Sequence, residues 1–193
     1  MILLDPELDP DPAPASAMRL GVSASASTSH SPRLPSPQTL ARFLALAQQA
    51  VRLRGQVTVL LTTDAAIRKL NRQFRGMNKS TDVLSFPTAG PIHGSGSEQI
   101  AGDLAISVPT ALRQAGEQGH ALSTEIKVLI LHGLLHLAGY DHESDTGKMA
   151  RREFLLRARL GLPQGLIERA AAAKRPGKPP TSTRPPRAKA VRP

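Results

Sequence analysis

The residues most able to do chemistry fall in one stretch, His132-Gly-Leu-Leu-His136-Leu-Ala-Gly139-Tyr-Asp141-His142. On a helix, His132 and His136 project from one face, one turn apart. Two imidazoles so placed can grip one divalent ion. Gly139 sits where a helix ends in a left-handed residue. Reversal of the chain there can bring His142 back as a third ligand. Three neutral imidazoles at about 2.0–2.1 Å, with a fourth position left to water, make the pattern of a catalytic zinc site rather than a structural one. The ion acidifies its water and yields a nucleophile near neutral pH. The alternative is a pair of core histidines, which would bury two imidazoles among leucines that offer them no partner. His30, His93 and His120 have no such spacing and read as ordinary loop or tail residues.

The same histidine spacing occurs in one class of zinc peptidases, where a Glu follows the first His as general base. Here that position is Gly133, which argues against peptide hydrolysis by that route. Asp141 and Glu143 flank the third His. Either can orient a ligand or accept a proton, and Glu143 suits equally a cap for the next helix.

A second segment, Asn71-Arg72-Gln-Phe-Arg75-Gly-Met-Asn-Lys79-Ser80-Thr-Asp-Val-Leu-Ser-Phe-Pro87, places Arg72, Arg75 and Lys79 in a basic turn ahead of a short strand. The planar fork of Arg matches phosphate with two parallel hydrogen bonds. A basic loop facing an activated water is what phosphodiester cleavage requires. A solvated charged turn is the competing reading, and spacing alone does not bring Arg75 to the histidines.

The elements that must position these residues follow from periodicity and punctuation. Ser36-Pro37 opens a helix to about Arg54, stopped by Gly55, with Leu40, Phe43, Leu44, Ala47 and Val51 inward. Gln56–Thr62 is a β-branched strand. Asp64 caps a helix over 65–74 with Ile67, Leu70 and Phe74 at core spacing. Asp82–Phe86 and Asp103–Ser107 are further strands around a Gly-rich loop at 88–99. Helices are expected at 109–119, with Ala111, Leu112 and Ala115 inward, and at 124–137, capped by Ser123. Two more are expected at 144–160 and 163–173. Met1–Asp5 is a candidate edge strand. The fold class is α+β: one domain with a small mixed sheet of about four strands and five or six helices, one sheet face covered by the apolar helix 124–137.

Composition bounds the rest. The chain has 193 residues, enough for one domain with tails. It has no cysteine, which removes disulfides, thiolate metal sites and cysteine nucleophiles and fits a reducing, cytoplasmic setting. No apolar run nears the length of a membrane span. Thirteen of the 17 prolines lie in 1–37 or 174–193. The segment 1–36 is therefore read as a mostly disordered Pro/Ser-rich stretch, 37–173 as the folded domain and 174–193 as a basic, disordered tail. The net charge of +10 comes from both tail and domain and favours a nucleic-acid or ribosomal partner. Few aromatics are present, so recognition by an aromatic-rich sheet is not expected.

Leu70–Pro87, Gly102-Asp-Leu-Ala-Ile-Ser107 and His132–His142, taken together, resemble the YbeY family of bacterial rRNA maturation factors over about residues 38–165. The resemblance implies a mixed α/β domain holding one zinc ion per chain through His132, His136 and His142. It implies endoribonuclease action on single-stranded rRNA of the small ribosomal subunit, in 16S rRNA 3′-end maturation and ribosome quality control. No DNA or membrane partner is implied. Arg75 falls on the family's phosphate-handling arginine. Ser80 stands where the family usually has proline. A non-enzymatic alternative, a ribosome-assembly or RNA-binding factor with a structural zinc, is motivated by the missing carboxylate at Gly133.

Overall fold

The computed structural model describes residues 1–8, 34–88, 99–142 and 144–164. Residues 9–33 of the Pro/Ser-rich stretch, most of the Gly-rich loop, Glu143, nearly all of the expected helix 163–173 and the basic tail lie outside the described residues.

Among the described residues, four strands form one mixed sheet: β1 (Ile2–Leu4), β2 (Gln56–Thr62), β3 (Val83–Pro87) and β4 (Ile100–Ser107). Their spatial order is β1-β2-β4-β3, with β1, β2 and β4 parallel and β3 antiparallel to β4. The candidate edge strand at the start of the chain is thus a true one, registered Ile2 opposite Val59. A single 3-10 turn follows at Pro6–Leu8, inside a stretch expected to lack structure. β3 forms the opposite edge, where Pro87, expected to halt the strand, instead closes it opposite Gly102. An edge strand tolerates a proline because one row of its N–H groups has no ladder partner.

Among the described residues there are five α-helices: α1 (Pro37–Val51), α2 (Asp64–Arg75), α3 (Val108–Gln118), α4 (Leu122–Leu137) and α5 (Lys148–Leu160). Ser36 caps α1 as its type suggests, accepting from the Thr39 N–H at 3.2 Å. Four boundaries differ from expectation. α1 stops at Val51 because Arg52 takes the left-handed conformation (φ 67°) and turns its N–H onto the carbonyls of Gln48 and Gln49. Thr63, not Asp64, caps α2, accepting from the Ala66 N–H at 3.2 Å. α4 begins at Leu122, one residue before Ser123, and the Ala121 carbonyl accepts from the Thr124 and Glu125 N–H groups. α5 starts only at Lys148, after the turn that carries His142.

Side chains alternate across the strands, and this sorts the helices. Val57, Val59, Leu61, Leu104 and Ile106 join α1, α3, α4 and α5 in the main core, with Val83 against it. Ile67, Leu84 and Ala105 form a smaller cluster on the other face, under α2, with Leu70 and Phe86 against it. α4 therefore covers one sheet face, as its composition requires. It is buried almost all round, with Ile126, Leu129, Ile130, Leu131, Leu134 and Leu135 fully enclosed. Each such side chain contributes about 1.5–3 kcal/mol over an exposed one. Two expected core residues face out instead: Phe74 is 59% exposed and Leu112 38%.

Candidate metal centre

The histidine pair lies in the last two turns of this enclosed helix. His132 is buried; His136 and His142 are half-buried. The chain leaves α4 through Gly139, whose φ of 85° is the left-handed turn the spacing required. It returns with His142 beside the pair. The three ring centroids form a near-equilateral triangle with sides of 4.9, 5.5 and 5.3 Å. One ring nitrogen from each lies within 4.8 Å of the others.

The donor set fits a metal ion. His132 Nε2 and His136 Nε2 are 3.2 Å apart. Two nitrogens at zinc-ligand distance in a tetrahedral site stand roughly 3.3–3.4 Å apart. His136 also has the charge state a ligand needs. Burial, then the neighbouring His132 and His142, push the His136 ring down to about 4, against the opposing pull of Asp141 and the Tyr140 backbone. His136 is therefore neutral, with a lone pair to give, at every pH where a protein cell interior operates.

His132 is aimed by a residue that motif reading did not single out. Its Nδ1–H donates to Glu153 Oε2 at 3.0 Å across to α5. Glu153 Oε1 pairs with Arg157 at 2.5 Å, and Arg157 Nη1 donates to the Pro163 carbonyl at 2.7 Å. Burial pushes the Glu153 carboxyl up, but the His132 hydrogen bond and charge and the Arg157 guanidinium outweigh it, so it stays below its ordinary value. The signal was present in α5: Met149, Glu153, Leu156 and Arg157 share the spacing of one buried helix face.

Gly133 now has a packing reason. A Cβ there would stand 2.7 Å from Leu104 Cδ2 and 3.3 Å from Ser85 Oγ. The helix lies so close to the sheet that the carboxylate of the zinc peptidases has no room. Asp141 is exposed in the loop, its carbonyl accepting from Ser144 and Asp145, and its charge acts on His136. His120, which had no ligand spacing, pairs with buried Glu125 at 2.5 Å. His30, His93 and Glu143 lie outside the described residues.

Arg72 and Arg75 lie on α2 and Lys79 in the turn after it, all three exposed. The turn is held by Asn71, whose Nδ2 donates to the Lys79 carbonyl at 2.8 Å. The link between α2 and α4 is β3. Phe86 meets Phe74 edge-on at 5.1 Å, and next to it Ser85 donates to the Gly133 carbonyl at 3.4 Å.

A four-stranded mixed sheet carrying a three-histidine cluster at the end of its covering helix defines an α+β domain with a ligand set for one divalent metal. The family model described as endoribonuclease YbeY matches residues 34–161. The protein named endoribonuclease YbeY from Koribacter versatilis is 51% identical over 134 residues, covering 69% of this chain and 84% of its own. Its namesake from Solibacter usitatus is 49% identical over 140 residues, covering 69% and 89%. The solution structure of TM1509 from Thermotoga maritima covers 78% of this chain and 96% of its own at 24% identity, with a TM-score of 0.45. The chain belongs to the YbeY family.

Proposed function

We propose that this chain is a metal-dependent endoribonuclease acting on single-stranded RNA, with one zinc ion held by His132, His136 and His142. In the same reading its substrate is small-subunit rRNA, its tasks are 16S rRNA 3′-end maturation and ribosome quality control, and it works in the cytoplasm. No helix of the described residues is long and apolar enough to cross a membrane. The observation that carries the reading is the convergence of three histidine nitrogens within 4.8 Å, in a chain whose relatives are named endoribonucleases.

When bound, the ion supplies Lewis-acid chemistry: it polarises a phosphoryl oxygen and lowers the pKa of a coordinated water. The protein's own residues do the rest. The three imidazoles face one another, His136 in its neutral form. Asp141, exposed in the loop of His142, offers a carboxylate to take up a proton. Arg75 donates its paired N–H groups to a phosphate and steadies the charge that develops on it, with Arg72 and Lys79 holding neighbouring phosphates. The net charge of +10 draws RNA in from a distance.

The test is elemental analysis of the purified protein joined to cleavage of a single-stranded RNA oligonucleotide. One equivalent of zinc, cleavage abolished by chelation and restored by zinc, and loss of cleavage in His132→Ala and Arg75→Ala support the reading. Cleavage by both variants at the wild-type rate marks the activity as a contaminant's. One observation favours the non-enzymatic alternative: His132 ties α4 to α5 through Glu153, so an ion there also staples two helices. That alternative requires chelation to unfold the domain and a cleavage-dead variant to support rRNA processing.

A further inference from the structure

Glu153 and Arg157 are each only 2% exposed, and the chemistry above uses neither at the substrate. Burying an ion pair costs several kcal/mol per charge before any attraction is returned. A pair retained in a core therefore calls for a role. The two oxygens of Glu153 are divided: Oε2 accepts from His132 Nδ1–H at 3.0 Å, and Oε1 faces Arg157 Nη2 at 2.5 Å. Arg157 is anchored in turn on the Pro163 carbonyl at 2.7 Å.

We propose that Glu153 is a positioning residue that fixes the tautomer of His132, and that Arg157 enforces it by claiming the other carboxylate oxygen. This rests on the reading that His132 is a metal ligand. An imidazole has two neutral tautomers. With the proton on Nδ1, Nε2 presents a lone pair to the centre. With the proton on Nε2, the ring cannot ligate and turns an N–H toward His136 Nε2, 3.2 Å away. An ionised carboxylate accepts only, so it selects the first form. Arg157 leaves Glu153 no freedom to rotate away, and the Pro163 carbonyl leaves Arg157 none. The orientation of one metal ligand is thus set by the chain just beyond α5.

A glutamine at position 153 separates this role from simple core filling. It has nearly the same shape but one oxygen. Arg157 takes that oxygen as the stronger, charge-assisted partner. The amide NH2 then faces His132 Nδ1, a donor toward a position that had been a donor. The ring is driven to the wrong tautomer. Removing the arginine frees the amide oxygen to accept from Nδ1–H again.

The experiment uses the full chain, Zn2+ and a competing chelator, with nitrogen-15 spectra of the histidine rings in the metal-free protein. Metal-free wild type is expected to show His132 protonated at Nδ1. Glu153→Gln is expected to bind Zn2+ about 10–100-fold more weakly and to show the proton moved to Nε2. Glu153→Gln combined with Arg157→Met is expected to regain at least about tenfold of the lost affinity and the wild-type proton position. This double variant carries no buried charge and keeps the fold testable even where the single variant is unstable. A proton on Nε2 in the wild type overturns the proposal, as does a double variant that binds no more tightly than Glu153→Gln. A wild type that takes up no Zn2+ overturns the metal site itself, and the ring spectra then judge the tautomer lock alone.

Discussion

α4 and α2 pack on opposite faces of the same edge strand, and they hold their functional side chains in opposite ways. In α4 the ligands come from a helix enclosed almost all round, so a histidine there has one place to be. His132 is gripped by a neighbouring helix and Gly133 lies directly on the sheet. In α2 the buried residues are Ile67 and Asn71 alone, and Arg72 and Arg75 stand in solvent at its last turn. A metal site needs ligands fixed within a few tenths of an ångström, and burial supplies that. A group that meets a long, mobile polyanion works from the surface, where its reach and charge matter more than a single geometry. The difference predicts that substitutions in α4 cost metal and stability together, while those in α2 cost RNA contact or little at all.

The largest expected effect is on α4. His136→Ala removes one of three ligands and leaves the helix otherwise packed. Zinc affinity and RNA cleavage should both fall by more than about 100-fold, beyond what loss of a supporting hydrogen bond costs. Chelator competition and single-turnover cleavage measure the two. Retention of a full equivalent of tightly held zinc would show that the ion sits elsewhere.

Gly133→Ala tests the other half of the claim, that α4 is pressed against the sheet. The added methyl must displace Leu104 Cδ2 from 2.7 Å. Overpacking of this kind costs about 1–3 kcal/mol. The melting temperature should drop by roughly 2–10 °C, on a scale of about 2–4 °C per kcal/mol for a chain this long. Unchanged melting would mean that the helix rides higher on the strands than the contacts imply.

How much of this contrast could be read before the fold was known follows from where the information sits. The His132/His136 pair, Gly139 and His142 are eleven residues of local spacing, and local spacing is what a sequence displays directly. The apolar run of α4 and the β-branched run of β2 are likewise local. The Glu153–Arg157 pair escaped because it joins α4 from 21 residues away. On its own helix, Glu and Arg four apart read as an ordinary solvated pair. Only their shared spacing with Met149 and Leu156 marked them as inward. Phe74 misled in the opposite sense: its spacing from Ile67 and Leu70 matches a core face, yet only Ile67 is enclosed, and Phe74 meets Phe86 edge-on while staying mostly exposed. Helix starts moved by a residue or two: at α2 two adjacent residues, Thr63 and Asp64, are both good cap types and Thr63 takes the role, while at α4 the Ala121 carbonyl ends the helix and leaves no side-chain signature.

On the α2 side, Arg75→Ala should leave melting within about 0.5 kcal/mol of wild type, as for exposed substitutions generally. Affinity for a single-stranded RNA should fall by roughly tenfold, and the slope of log affinity against log salt should shrink by about one, because one phosphate contact is gone. Fluorescence anisotropy at several salt concentrations, with zinc removed so that no cleavage occurs, reads both. A loss of affinity with an unchanged slope would assign Arg75 to something other than a phosphate.

The smallest effect belongs to the start of α2, where Asp64 is bound to Ser107, which caps α3, and to Thr110 and Arg113 of α3, the last at 3.1 Å. Partial burial pushes its carboxyl up, but the hydrogen bonds from Ser107, Thr110 and Arg113 and the arginine charge outweigh this and hold it below its ordinary value. A folded-state pKa below the unfolded one means that the ionised form is favoured in the native protein. The stabilisation is then fully present above the unfolded value of about 3.9 and is lost as pH falls through the lower, folded one. Arg113 is 57% exposed, so solvent screens much of the pair, and the contribution stays below about 1 kcal/mol. Asp64→Asn should therefore be slightly less stable than wild type in urea at pH 7. The two curves should converge in acid, as pH falls below the ordinary carboxylate range and wild-type Asp64 takes up a proton as well. A gap that persists or widens in acid would mean that the carboxylate is tolerated at this helix start rather than recruited to join α2 to α3.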